Sequence, residues 1–356
     1  MPLRVLQLID SLEAGGAERM AVNLANVLVS EVDRSYLCAT RAEGLLKGSL
    51  NARVGYLFLN RVRVLDFGAL KRLLKFVKRE QITVVHAHAS SYFIAALLKL
   101  IYPKISVIWH DHYGNSEFLD QRPKMILKLC SYIFKGIIAV NAQLANWDTK
   151  HLLCKQVIFL PNFVVPYNTV SVTKLKGEKG KRLLCMANLR PQKDHGTLLK
   201  ALKIIVSQFS DWSLHCVGKD FDDAYAKRIM KLVKELELEP NVFFYGSCKD
   251  TEQIMSQVDI GVLSSKSEGL PLALLEYGQA GLAVVATDVG DCNLVISDVD
   301  SGTLVPPLDA EALAESIIVF IKNITLRQQT GTTLQAVVSQ NFSKEASVSR
   351  LLALYV

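Results

Sequence analysis

This chain has no long apolar run. Its most hydrophobic stretch, Tyr92–Leu98, is interrupted at once by Lys99, far short of the ~20 residues needed to cross a bilayer as a helix. Cysteine pairs are also missing. The seven cysteines, at 38, 130, 154, 185, 216, 248 and 292, lie mostly inside apolar runs with no C-x-x-C spacing. This predicts reduced core thiols in a cytosolic compartment and argues against a disulfide framework or zinc knuckle. Glycine (20) and proline (10) are too few among 356 residues for a collagen-like or low-complexity chain, and 50% hydrophobic residues rule out disorder. Met1 leads within two residues into an apolar run, with no charged start or small-residue cleavage site, so no signal peptide is expected.

What is present is a regular alternation of short apolar runs and amphipathic stretches, the pattern of βαβ units and parallel sheets. Strands are predicted at Leu3–Ile9, Ile82–His86, Ile105–Trp109, Ile137–Val140 and Val157–Leu160, with helices at Ala17–Val29 and Tyr92–Leu100. A polar segment, 166–181, is expected to connect two lobes. The pattern then restarts with strands at Arg182–Ala187, Ser213–Val217, Val242–Tyr245, Ile260–Leu263 and Leu282–Thr287. Helices are predicted at His195–Val206, Tyr225–Leu236, Pro271–Ala280 and Ala310–Lys322. The expected fold is α/β, two doubly wound Rossmann-like lobes spanning 1–165 and 182–343. In such lobes ligands sit beyond the carboxyl ends of the strands.

Three loops at such ends could carry chemistry. Ala14-Gly15-Gly16-Ala17-Glu18 joins the first strand to its helix. Its glycines allow close backbone approach to a ligand at a helix N-terminus, but the spacing is not G-x-G-x-x-G, which disfavours a dinucleotide. Asn188-Leu189-Arg190-Pro191-Gln192-Lys193-Asp194 sets two cations beside a helix N-terminus, with Asp194 as its cap, a suitable clamp for a diphosphate. The third runs from Ser264 through Glu268-Gly269-Leu270-Pro271 into a helix bearing Glu276, whose helical neighbours Leu272, Ala273 and Ala280 are apolar. A carboxylate there is costly unless it is paired or faces a ligand.

Glu268-Gly269-Leu270-Pro271 with Glu276 resembles the E-x7-E motif of retaining glycosyltransferases of the GT-B fold, and most resembles glycosyltransferase family 4. Further segments match in order: Gly15-Gly16-Ala17-Glu18, Val85-His86-Ala87-His88, His110 after a strand, Leu160-Pro161-Asn162-Phe163-Val164, Asn188–Lys193, and Gly302-Thr303-Leu304-Val305-Pro306-Pro307. The resemblance implies two lobes facing across a cleft, with the first binding the acceptor and the second a nucleotide-diphosphate sugar. It also implies that the C-terminal helix, about 344–356, packs back on the first lobe.

By the same resemblance, Glu276 would bond the nucleotide ribose, Glu268 the transferred sugar, and Arg190 and Lys193 the diphosphate. Gly16, Gly269 and Leu270 would also contact the donor. His110 would act near the reacting centre, with His112 as its runner-up in register, while Gly15, His86 and His88 would line the cleft or the acceptor site. Neither a catalytic metal nor a cofactor is implied. UDP is the first expectation for the nucleotide and GDP the second, in transfer to a glycan or lipid-linked acceptor of a bacterial surface polysaccharide. The chain departs from the family pattern at four places, the first being Phe163, which replaces the glycine of the hinge segment. Asn188 stands where arginine is common, Gly290-Asp291-Cys292-Asn293-Leu294 replaces G-G-x-x-E, and Tyr277 fills a position usually small.

Two other activities remain open from the residues. A nucleotide-sugar epimerase would share the two-lobed fold, and a metal-dependent hydrolase could use the His86-x-His88 and His110-x-His112 pairs. The strings Asp220-Phe221-Asp222 and Asp298-Val299-Asp300 match a metal–nucleotide motif but fall in polar loops.

The net charge of +7 hides an asymmetry, with +11 on residues 1–177 and −4 on 178–356. Lys71, Arg72, Lys75, Lys78 and Arg79 share a predicted helix. Arg122, Lys124, Lys128 and Lys135 interleave with apolar residues from Met125 to Phe134. This basic–apolar combination predicts contact with an anionic membrane on its cytoplasmic side. No nucleic-acid-binding motif accompanies the charge.

Overall fold

The computed structural model describes residues 2–165 and 171–356. It divides into two compact units, Met1–Asn162 with Glu345–Val356, and Phe163–Lys344. Of the expected connection 166–181, residues 166–170 lie outside the described residues. Beyond them, the backbone N–H groups of Val172 and Thr173 donate to the Asp250 carboxylate at 2.8 and 2.7 Å, inside the second unit.

The first unit runs β1 (Arg4–Ser11), α1 (Gly16–Val27), β2 (Arg34–Ala42), β3 (Gly55–Phe58), α2 (Phe67–Arg79), β4 (Val84–His88), α3 (Tyr92–Ile101), β5 (Ser106–Asp111), α4 (Met125–Ser131), β6 (Gly136–Ala139), α5 (Ala142–His151) and β7 (Val157–Phe159). The strands form one parallel sheet in the order β3-β2-β1-β4-β5-β6-β7. Chain order reverses between β1 and β4, where ligands gather in such sheets. Strands β2 and β3 are not predicted from the sequence pattern. Arg34, Ser35, Thr40 and Arg41 break the apolar pattern of β2, yet Ser35 and Thr40 are buried. The Ser35 hydroxyl donates to the carbonyl of Ala25 at 2.7 Å.

The second unit contains β8 (Arg182–Met186), α6 (His195–Gln208), β9 (Ser213–Val217), α7 (Ala224–Glu235), β10 (Val242–Phe244), α8 (Thr251–Met255), β11 (Ile260–Leu263), α9 (Leu272–Gln279), β12 (Ala283–Thr287), α10 (Cys292–Val295), β13 (Thr303–Val305), α11 (Ala310–Lys322) and α12 (Ile324–Asn341). Its parallel sheet has the order β10-β9-β8-β11-β12-β13, with the reversal between β8 and β11. Both sheets consist of short apolar runs because helices cover both faces. Leu183, Leu214, Ile260 and Val285 from four neighbouring strands meet Leu198, Leu202 and Ile317 from the helices.

The final helix, α13 (Lys344–Tyr355), belongs with the first unit from Glu345 onward. It lies against Gly136, where a Cβ would come within 2.7 Å of the Leu354 side chain and force it to shift. Lys135 donates to the carbonyl of Tyr355 at 3.0 Å, and Arg350 to that of Phe159 at 2.8 Å.

Candidate functional site

In the second unit the loops after β8 and β11 meet at the reversal of strand order. Asp194, with φ of +45°, closes the first loop and caps α6. Its carboxylate accepts from the N–H of Thr197 at 3.4 Å and from its hydroxyl at 2.7 Å. Two bonds join the loops: the Ser264 hydroxyl donates to the Lys193 carbonyl at 3.0 Å, and the Lys266 N–H to the Gln192 carbonyl at 2.7 Å. This framework sets the Lys193 ammonium 2.5 Å from the Glu268 carboxylate, which also accepts from the Ser265 hydroxyl at 2.6 Å. Glu268 is buried and Lys193 half-buried. A carboxylate taken out of water needs such partners, and each would be costly to remove alone. The sequence motifs do not single out Ser265.

Gly269 and Leu270 are buried between Glu268 and α9. Pro271 is the cap of that helix, with extended ψ of 118°, and the helix starts at Leu272, one residue later than expected. Glu276 is half-exposed. Among its helical neighbours Leu272 is buried, Ala273 half-buried and Ala280 exposed, so it lies at the edge of an apolar stripe and not within one.

Arg190 is placed differently. Its side chain is exposed, with the guanidinium 4.5 Å from the centre of the Phe221 ring on the loop after β9, a cation–π contact. Asn188 accepts from the Lys219 N–H at 2.7 Å, joining the same two loops. The structure therefore unites Lys193 with Glu268 and puts Arg190 on Phe221.

Tyr277, the oversized residue, is fully buried, with its ring filling the space above Gly261 in β11. Its hydroxyl accepts from the Met186 N–H at 2.7 Å and donates to the Leu184 carbonyl at 3.2 Å, satisfying both buried capacities of the phenol. Both D-x-D strings fold as local turns: the Asp220 carboxylate accepts from the Asp222 N–H, and that of Asp298 from Asp300 and Ser301.

In the first unit Gly15 caps α1 and Gly16 opens it, exposed. The Glu18 carboxylate lies over Gly15 and accepts from the Ser11 hydroxyl at 3.1 Å, favourably placed in the first turn of a helix. His86 and His88 on β4 and His110 on β5 lie on one sheet face, because His110 pairs in register with His88, and His86 with Gln7 of β1. These three histidines are buried, so His86 and His88 are interior groups and not lining of an open surface. His112 is half-buried, stacks on His88 and lies tilted by 32° against His110.

Burial lowers the pKa of all four imidazoles, to about 3 for His86 and His112 and well below the ordinary value for His88 and His110. They are neutral at pH 7. Among the described residues, His86, His88 and His110 form the group whose ligand atoms are close enough to hold a metal, all within 4.8 Å.

The basic face of the first unit needs correction at two residues. The Arg122 side chain is buried: its guanidinium grips Asp111 through bonds of 2.6 and 2.8 Å and lies among Tyr113, Trp147 and Trp109. Lys135 holds the end of α13. Neither is available to a surface. Lys71, Lys75, Lys78 and Arg79 belong to α2, where Lys71, Arg72, Lys75 and Arg79 are exposed and Lys78 lies over the Tyr102 ring. Lys124, Met125, Ile126 and Leu129 on or beside α4 are exposed as well. Helix α3 packs between α2 and α4, so these residues belong to one helical layer.

Two family descriptions match consecutive parts of the sequence, "Glycosyltransferase Family 4" over residues 14–166 and "Glycosyl transferases group 1" over 169–335. The chain is a glycosyltransferase, and its first part resembles family 4. An uncharacterized glycosyltransferase of Haemophilus influenzae is 24% identical over 89% of both chains. A phosphatidyl-myo-inositol mannosyltransferase of Mycobacterium tuberculosis is 26% identical over 73% of this chain and 70% of its own. The Anabaena protein HepE, solved with UDP and glucose, superposes with a TM-score of 0.81 at 17% identity over 99% of this chain and 98% of its own. That likeness establishes the GT-B fold. Among the described residues no helix is long and apolar enough to cross a membrane.

Proposed function

We propose that this glycosyltransferase moves a sugar from a nucleotide diphosphate to a glycan or lipid-linked acceptor of a bacterial surface polysaccharide, with retention of anomeric configuration and without a catalytic metal. The observation that carries this reading is the Lys193–Glu268 pair where the β8 and β11 loops meet. When the bond from the anomeric carbon to the diphosphate oxygen breaks, negative charge accumulates on the leaving group. An ammonium placed there lowers the barrier without a proton transfer. In this reading Lys193 turns from Glu268 to the diphosphate as the donor binds, and the released carboxylate accepts from a hydroxyl of the sugar. Arg190 reaches the diphosphate from Phe221, Glu276 bonds the ribose, and Gly16, Gly269 and Leu270 allow close approach. His110 acts near the reacting centre in this reading, and Gly15, His86, His88 and His112 support the acceptor side. UDP is the preferred nucleotide and GDP the second. The acceptor unit meets an anionic membrane through α2 and α4.

A thermal-shift panel of UDP, GDP, ADP and CMP, with and without EDTA, tests the donor assignment. A ligand at about 100 times its Kd adds roughly 2.7 kcal/mol of stability. One nucleoside diphosphate should raise Tm whether or not EDTA is present. In E276A the protein should fold normally and lose most of that shift. No nucleotide response, or an affinity unchanged in E276A, would overturn the donor site or the ribose contact respectively. Product analysis with the responding nucleotide sugar then separates transfer from epimerisation and fixes the anomeric outcome.

A further inference from the structure

We propose that Tyr355, the penultimate residue of the chain, sets the tautomer of His110 through His86, so that His110 presents a neutral Nε2–H as a hydrogen-bond donor. A continuous path carries this. Gln7 Nε2 lies 3.4 Å from the Tyr355 hydroxyl, which is 2.6 Å from His86 Nδ1; His86 Nε2 is 3.2 Å from His110 Nδ1. His110 Nε2 is buried and has no hydrogen-bond partner. On the other side of Gln7, its Oε1 lies 2.8 Å from His88 Nε2, and His88 Nδ1 is 3.0 Å from His112 Nε2.

Proton positions follow from the donors and acceptors along this path. Each neutral imidazole has one N–H and one lone pair, and burial keeps these four rings neutral. The Gln7 carbonyl accepts from His88, so His88 carries its proton on Nε2 and accepts at Nδ1 from His112. The Gln7 amide donates to the tyrosine oxygen. The tyrosine O–H then donates to His86 Nδ1, His86 donates from Nε2 to His110 Nδ1, and the His110 proton must sit on Nε2. Turning the Gln7 amide over reverses every bond. The first orientation places all four protons on Nε2, the tautomer that a neutral histidine side chain favours, whereas the reverse places all four on Nδ1. Tyr355 is thus a positioning residue that acts on His110 through His86.

The same nitrogens could be read as metal ligands, but the rings argue otherwise. His86 and His88 are stacked with planes 10° apart and centres 4.6 Å apart, and His88 and His112 are 21° apart at 5.2 Å. Nitrogen lone pairs lie in the ring plane, so the nearly parallel planes of His86 and His88, with centres 4.6 Å apart, oppose convergence of both rings on one ion. The unpaired Nε2–H has lost its water and gained nothing in return, which suits a donor awaiting an acceptor oxygen on a bound molecule. That the acceptor oxygen belongs to the sugar substrate rests on the transferase reading above; the tautomer assignment does not.

The test uses full-length protein labelled with 15N-histidine and long-range 1H–15N correlation, which distinguishes protonated from bare ring nitrogens. The wild type should show His110 protonated on Nε2 and bare at Nδ1, unchanged by EDTA. A proton on Nδ1, or nitrogen shifts that move on adding EDTA as a bound metal leaves, would overturn the proposal. In Y355F the His110 signals should split between tautomers. The kcat for transfer should fall about tenfold, the scale of one misdirected hydrogen bond, with nucleotide affinity unchanged. An unchanged His110 spectrum and kcat in Y355F would overturn it as well. If Y355F fails to fold, the wild-type spectrum still decides. The predicted tautomer in a protein that transfers no sugar would sink the transferase reading and leave the relay standing.

Discussion

At the scale of single residues, the first unit contains a charge imbalance that determines a pH response. Asp111 takes both arms of Arg122, and Asp148 lies 4.0 Å from that guanidinium with both carboxylate oxygens buried and without hydrogen-bond partners. One guanidinium neutralises one carboxylate. Burial first, and then the nearby Asp111, push the Asp148 pKa up to about 9. Asp148 is therefore protonated in the folded protein, whereas in the unfolded chain it ionises near pH ~4. Between these values the native state holds a proton that the unfolded state has released, so stability falls as pH rises through the window, by at most about 1.4 kcal/mol per pH unit. Replacing Asp148 by the isosteric neutral Asn removes this descent. D148N should lose less Tm than the wild type between pH 6 and 8, and at pH 8 it should be the more stable protein. Equal slopes in the two proteins would show that Asp148 is ionised in the native state.

At the scale of elements, much of the architecture is legible in the sequence because apolar runs and helix periods differ so clearly. Strands β1, β4, β5, β8, β9, β11 and β12 are marked by runs of Val, Ile and Leu, with turn residues around them. Strands β2 and β3 escape because their ends are polar or short, and a buried Ser35 or Thr40 becomes intelligible only with its partner in view. The site is legible to a similar depth. Lys193 and Glu268 stand 75 positions apart and meet, as strand-end loops in a doubly wound sheet should. What stays hidden are the partners supplied by distant elements. Nothing near His86 announces Tyr355, 269 residues away, and nothing near Arg122 says that Asp111 and Asp148 draw it inside. Tyr277 shows the same limit in reverse. It looks like a misfit until Gly261, on the neighbouring strand, is seen to make room for its ring.

At the scale of the whole molecule, charge is unevenly shared: +11 on residues 1–177 and −4 on 178–356. An anionic surface would attract the first part and weakly repel the second, which orients the molecule as well as holding it. With Arg122 and Lys135 committed internally, the exposed lysines of α2 would supply the attraction in the proposed membrane contact, and exposed Met125, Ile126 and Leu129 the apolar surface to insert. The two contributions respond differently to salt. Electrostatic attraction is screened over about 8 Å at physiological ionic strength, while apolar insertion is not. Changing Lys71, Lys75 and Lys78 to Gln should weaken binding to phosphatidylglycerol-containing vesicles on the order of tenfold or more at low salt, with much less effect at high salt. Changing Met125 and Leu129 to Ser should weaken binding at both. Vesicles of phosphatidylcholine alone should bind all forms poorly. If the lysine variant sediments with anionic vesicles as the wild type does, α2 is an ordinary solvated face, and the acceptor unit meets its substrate without help from the membrane's charge.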